Sequence, residues 1–250
     1  MFRMLKLDPP NGWRAVVWEL AIVTLGVLIA LAAQQWAEER SWRAKVSQSK
    51  AAIREELAKH YSWSVEWRVV APCILTQIDG LQQRIERSGD RLDPAPSYSD
   101  EAISKFVLRM PSKDYADGAW QGAISDGVAS RFDPKLRSEL NDHYMQAATV
   151  QVESVRNTEE FTSLQSLTRA IPLDPMVRYT LLERLDALRG RADFMDLQSG
   201  QLIDHIQKVG MVPDVARARR DVERFGTYKF CKAQGFPMRS FTDAMRAVPN

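Results

Sequence analysis

The chain has 250 residues, with 34 Lys and Arg against 32 Asp and Glu, a formal net charge of +2. Beyond residue 36 the balance is 31 basic to 30 acidic, which argues against a nucleic-acid binder, since that function needs a concentrated basic surface. Some 214 residues follow that point, enough for one helical domain with a real core.

Leu20 to Ala33 is an uncharged run relieved only by Thr24 and Gly26. From Ala15 to Ala33 a helix rises about 28 Å, short but sufficient for a hydrocarbon core of about 30 Å. Trp13 and Trp18 flank it on one side and Trp36 on the other, where aromatic rings settle at membrane interfaces. Glu19 lies about one turn inside the boundary and can snorkel to the headgroups or pair with Arg14. Ala30-Leu31-Ala32 also fits a signal-peptidase pattern, so a cleaved leader is the competing reading. The expectation is a retained anchor, with a cytoplasmic tail over 1–14, a transmembrane segment over 15–36 and an exported domain over 37–250. Arg3, Lys6 and Arg14 before the span nearly tie with Arg40, Arg43 and Lys45 after it. A short basic tail ahead of a first span ordinarily stays inside, so the large C-terminal domain is expected outside the membrane.

Glu19, then Gly26-Val27-Leu28-Ile29-Ala30-Leu31, then Gln35-Trp36, resembles the N-terminal anchor of a group of uncharacterised bacterial single-span membrane proteins. There a Glu-led apolar segment ends in a Gln/Asn-Trp pair and runs into a long helix. The resemblance covers about twenty residues; it implies location and architecture, with no activity or catalytic residue to carry over.

The soluble part reads as all-α, an antiparallel helical bundle continuing from the transmembrane helix. No Pro or Gly occurs from Ala37 to Ala71, so a rod of about 55–60 residues is expected to end at Pro72. Trp42, Val46, Ile53, Leu57, Tyr61 and Val65 mark its apolar stripe. A second helix is predicted over Cys73–Arg87, a short one from Ser99 to about Arg109, and another from Tyr115 to Ser130. Asp133-Pro134 opens a helix toward Ala170, with Leu136, Leu140, Tyr144, Ala148, Val152, Val155, Leu164 and Leu167 inward. Asp174-Pro175 repeats the device before Met176–Leu188, Gly190 breaks or bends the chain before Asp193–Val209, and Pro213-Asp214 opens a helix ending near Gly226.

Cys73 and Cys231 are the only cysteines, and in an exported domain an even pair reads as one disulfide, with two buried thiols as the alternative. His60, His143 and His205 share no metal-ligand spacing. Glu56 and His60 stand one turn apart and read as a solvated pair. Ser47-Gln48-Ser49-Lys50 has Ser-x-x-Lys spacing without its companion motifs, and Gly122 to Gly127 is one residue too long for a nucleophile elbow. No catalytic, cofactor-binding or metal residue is assigned, and no cofactor is expected. Two surfaces stand out as candidates for a protein partner. One is the aromatic set Tyr61, Trp63 and Trp67. The other is the segment from Lys208 to Asn250, with nine cations against four acids, including Arg217, Arg219 and Arg220. The leading expectation is a membrane-tethered periplasmic protein-interaction or scaffolding module, not an enzyme, touching the lipid bilayer and a protein partner. The alternative is a small-ligand sensor with a pocket inside the bundle, near Trp120 or the aromatic set.

Overall fold

The computed structural model describes residues 12–99 and 105–248. The chain divides into two compact units, Met1–Gln48 and Ser49–Asn250.

In the first unit every described side chain from Val16 to Ser41 is exposed, the apolar ones included, and this is the part of a helix long and apolar enough to cross a membrane. Thr24 Oγ1 donates to the Leu20 carbonyl at 2.8 Å, which satisfies the hydroxyl within its own helix. Trp18 and Trp36 are exposed, with the Arg40 guanidinium 5.6 Å from the Trp36 ring centroid. Glu19 is exposed as well.

The second unit is all-α. Helix α1 spans Gly12–Arg87, with Pro72 inside it. The expected break at Pro72 does not occur, and Cys73–Arg87 is no separate helix. An internal proline costs about 3 kcal/mol or more. Burial of Trp67, Val69, Val70, Ile74 and Ile78 on both sides outweighs it, at ~1.5–3 kcal/mol per large apolar side chain. Near the proline, the Val69 carbonyl accepts the Arg239 N–H at 2.9 Å.

Helix α2 covers Gly118–Ser125, α3 Pro134–Ser163, α4 Pro175–Val209, α5 Val215–Arg224, α6 Gly226–Ala233 and α7 Phe241–Ala244. Asp133, Asp174 and Asp214 each cap a helix, accepting first-turn amides at 2.9–3.3 Å. Gly190 does not break α4, since an interior glycine costs only about 1 kcal/mol. Gln146 bonds Gln198 at 2.9 Å, while Arg191 reaches back to Glu160 at 3.3 Å, so α3 and α4 run antiparallel. Gln82 meets Asp186 and Arg68 meets Asp196, so α4 also runs antiparallel to α1.

Three expectations need correction. The helix expected from Tyr115 is shorter, and Val128–Arg131 forms a 3-10 turn instead. The helix from Pro134 stops at Ser163, followed by a 3-10 turn over Leu164–Thr168 and the two-residue strand Ile171–Pro172 (β2), paired with Arg91–Leu92 (β1). The helix expected from Ser99 to Arg109 falls partly outside the described residues. Its described part is extended, with Phe106 bridged to Tyr98. Phe106, Val107 and Leu108 are all buried, a run that no single helix face accommodates. The Gln77 amide pairs with both backbone groups of Arg109, at 2.8 and 3.2 Å, in the way a neighbouring strand would.

The register of α3 also differs. Ala148, Val152 and Val155 face solvent, while Leu140, His143, Tyr144, Ala147, Val150, Ser154 and Asn157 face the core. The helix carries two stripes, and the polar-laced one is inside. Its polar members find partners that a hydrophobic count does not register: His143 meets His60, and Ser154 bonds the Lys113 backbone.

Candidate ligand cavity and the polar core

Cys73 on α1 and Cys231 on α6 are both fully buried, with Sγ atoms 2.08 Å apart. The bond ties α6 to α1, and α6 supplies one wall of a cavity of about 270 Å³. A second wall is the extended segment Arg109–Lys113, and α3 supplies the third through Asn157, Thr158 and Phe161.

Each wall has a local cause. Gln77 pins the Arg109 backbone, and Ser154 Oγ accepts from the Lys113 N–H at 3.4 Å and donates to its carbonyl at 3.0 Å, so the segment is held at both ends. The Arg109 guanidinium stands 5.3 Å from the Phe106 ring centroid. A Cβ placed on Gly226 would meet Arg109 Nη2 at 2.7 Å, so the bare glycine is what lets the guanidinium lie against the start of α6. Lys113 Nζ sits 3.6 Å from the Phe225 ring centroid and 2.9 Å from Glu66 Oε2. Glu66 is fully buried, and burial pushes its carboxyl up, against the pull of Lys113 and Arg109.

Asn157 is 2% exposed, and neither Oδ1 nor Nδ2 has a hydrogen-bond partner. Leaving a buried polar group unpaired costs about 1–3 kcal/mol. The unpaired amide lines the cavity.

The second unit also holds a polar core that the histidine spacing did not reveal. His60 Nε2 is 3.0 Å from the Ala116 carbonyl and its Nδ1 is 3.0 Å from His143 Nε2. A carbonyl only accepts, so neutral His60 carries its proton on Nε2, and Nδ1 receives one from His143 Nε2–H. That leaves His143 Nδ1 bare, buried and without a partner. Burial lowers the His60 pKa to about 4 and drives His143 well below its ordinary value. The expected solvated Glu56–His60 pair is replaced: Glu56 accepts the Tyr144 hydroxyl at 2.6 Å and the Ala119 N–H at 3.0 Å. Burial and the adjacent carboxylate push the Tyr144 phenol up. Among the described residues, no three His, Cys, Asp or Glu side chains gather as a metal site.

Tyr61 and Trp67 are buried in the core, which corrects their assignment to a partner surface. Both point inward because α1 is covered along that stretch. Trp63 remains half-buried and borders a surface groove with Glu55, Glu56 and Lys59. Arg217, Arg219 and Arg220 are exposed but not unopposed, pairing with Glu55, Glu223 and Asp214 respectively. Trp120 stacks on Tyr144 at 5.8 Å and lines a shallow groove, not an enclosed pocket.

Asn157, Lys113 and Arg109 escaped sequence reasoning. Only one signal pointed to them: Ser154 and Asn157 continue the Leu140–Tyr144–Ala147 stripe of α3, polar residues in an inward register. No family model matches the chain, and no curated protein or solved structure is similar to it.

Proposed function

We propose that the chain is a single-span protein of a bacterial inner membrane whose periplasmic helical domain binds a small ligand, as a sensor or binding module. The carrying observation is the cavity, open to solvent on one side and lined by Asn157, whose buried amide has no partner. The exposed apolar stretch of α1 supports the tether, and a buried disulfide suits an oxidising compartment. At about 270 Å³ the cavity sits just below the range of roughly 300–1,000 Å³ typical of drug-sized sites, so the guest is small.

Ligand-observed NMR against the full chain in lipid nanodiscs checks this, using fragments of all charge types. Some fragments should be retained by the wild type and released by Thr158→Trp, which fills the cavity. If none distinguishes the two proteins, the ligand-binding reading fails.

A second reading, a protein-interaction or scaffolding module, is favoured by a separate observation. Met145, Ala148, Val152 and Val155 form an exposed apolar row on α3. Crosslinking in membranes followed by pull-down should recover a protein with the wild type and lose it with Val152→Asp. Recovery unchanged by that substitution, or no recovery at all, counts against this face.

A further inference from the structure

Resting on the ligand-binding reading, we infer the class of guest: a small uncharged molecule with an N–H and a C=O side by side, as in a primary carboxamide or a lactam. That edge pairs with Asn157, and an apolar body lies against Met110, Pro111 and Phe161.

The charges around the cavity are already met within the protein. Lys113 Nζ lies 2.9 Å from Glu66 Oε2 and 3.6 Å from the Phe225 ring centroid. The same buried carboxylate accepts the Tyr228 N–H and attracts Arg109. The Arg109 guanidinium also stands 5.3 Å from the Phe106 ring centroid. The hydroxyls are paired too. Thr158 Oγ1 donates to the Ser154 carbonyl at 3.1 Å and meets Ser112 Oγ at 3.2 Å. An ion entering here would give up its hydration for groups that already hold partners, and losing that hydration is costly. A neutral guest escapes the cost.

Asn157 differs from these neighbours. It is 2% exposed, and neither the acceptor Oδ1 nor the donor Nδ2 has a partner. To satisfy both at once, a guest must present a donor and an acceptor on one edge. A primary carboxamide or a lactam does so: its N–H meets Oδ1 while its carbonyl accepts from Nδ2. An open secondary amide is trans, with its N–H and C=O on opposite sides, and makes only one of the two bonds. A ketone or a carboxylate offers acceptors alone and leaves Oδ1 unpaired. Met110, Pro111 and Phe161 add an apolar wall, which an aromatic or aliphatic ring covers.

Benzamide, acetophenone and benzoate have nearly the same shape and separate these properties. Benzamide carries donor and acceptor, acetophenone the acceptor alone, benzoate a charge without a donor. Ligand-observed NMR titration of the full chain in nanodiscs reads their affinities. Benzamide should bind roughly tenfold tighter than either of the others, the ratio for one hydrogen bond that also relieves a buried unpaired acceptor. Asn157→Leu should erase the preference of benzamide over acetophenone. It should also melt no lower than the wild type by circular dichroism, because it removes an unpaired buried amide. Benzoate or acetophenone binding as tightly as benzamide overturns the assignment. So does a benzamide preference that survives Asn157→Leu, or no binding of any of the three at about 10 mM. A large loss of thermal midpoint in Asn157→Leu overturns it as well, since the amide would then have partners within the protein. In each of those cases, other fragments retained by the wild type and released by Thr158→Trp would leave the ligand-binding reading standing.

Discussion

Replacing Cys73 and Cys231 together by alanine should lower the thermal midpoint of the helical domain by about 10 °C, the largest single loss expected in this molecule. The cystines are 158 residues apart. In the chain-entropy description, opening so long a loop releases about 5 kcal/mol of restraint on the unfolded chain, and native disulfides removed from domains typically cost 2–5 kcal/mol. A domain of some 200 residues shifts by about 2–4 °C per kcal/mol. Both sulfurs are buried, so the alanines add a packing defect of their own. Circular dichroism melts of wild type and double variant read the loss. Alkylation of the unfolded, unreduced wild type should label neither cysteine. Full labelling of both would show that no bond exists and remove the basis for the expected loss.

Acidification from pH 6.5 to pH 4 should destabilise the domain by roughly 3 kcal/mol through His60 alone, with His143 adding to it. The folded-state pKa of His60 is about 4, against 6.5 for an ordinary imidazole. Within that interval the unfolded chain takes up a proton that the native chain refuses. Stability is therefore full above pH 6.5 and falls as the pH drops toward 4. For His143 the loss continues further down, because its pKa lies well below the ordinary value. Glu66 acts in the opposite sense: its raised pKa makes the native state the better proton binder, so acid favours the fold at that position. The histidine and Glu66 contributions oppose one another, and removing the two histidines isolates theirs. Urea unfolding at successive pH values measures the slope, and His60→Gln/His143→Gln should flatten it between pH 6.5 and 4. An unchanged slope in the double variant would assign the acid sensitivity elsewhere.

The acidic caps at Asp133, Asp174 and Asp214 were legible because capping is local: the residue that signals the helix start also binds its amides. Pro72 was misread because the same local logic ignores tertiary packing, and here the core on both sides holds the helix together. On α3, Val152 and Val155 outweighed Ser154 and Asn157 in any hydrophobic tally. The chain reverses that order because residues distant in sequence, His60 and Lys113, supply polar partners inside. The cavity was the least legible feature. Its walls come from positions 109–113, 157–161 and 226–227, and no spacing rule links segments so far apart. Gln77 acting as a surrogate strand for Arg109 is equally invisible, since a glutamine in a helix ordinarily faces water.

The crosslink from α1 to α6 also sets an order of events. Sulfurs so far apart along the chain meet only once most of the intervening helices have formed, since long loops close late. The wall carrying Gly226 and Thr227 is anchored by that closure. The cavity is thus among the last parts of the molecule to form.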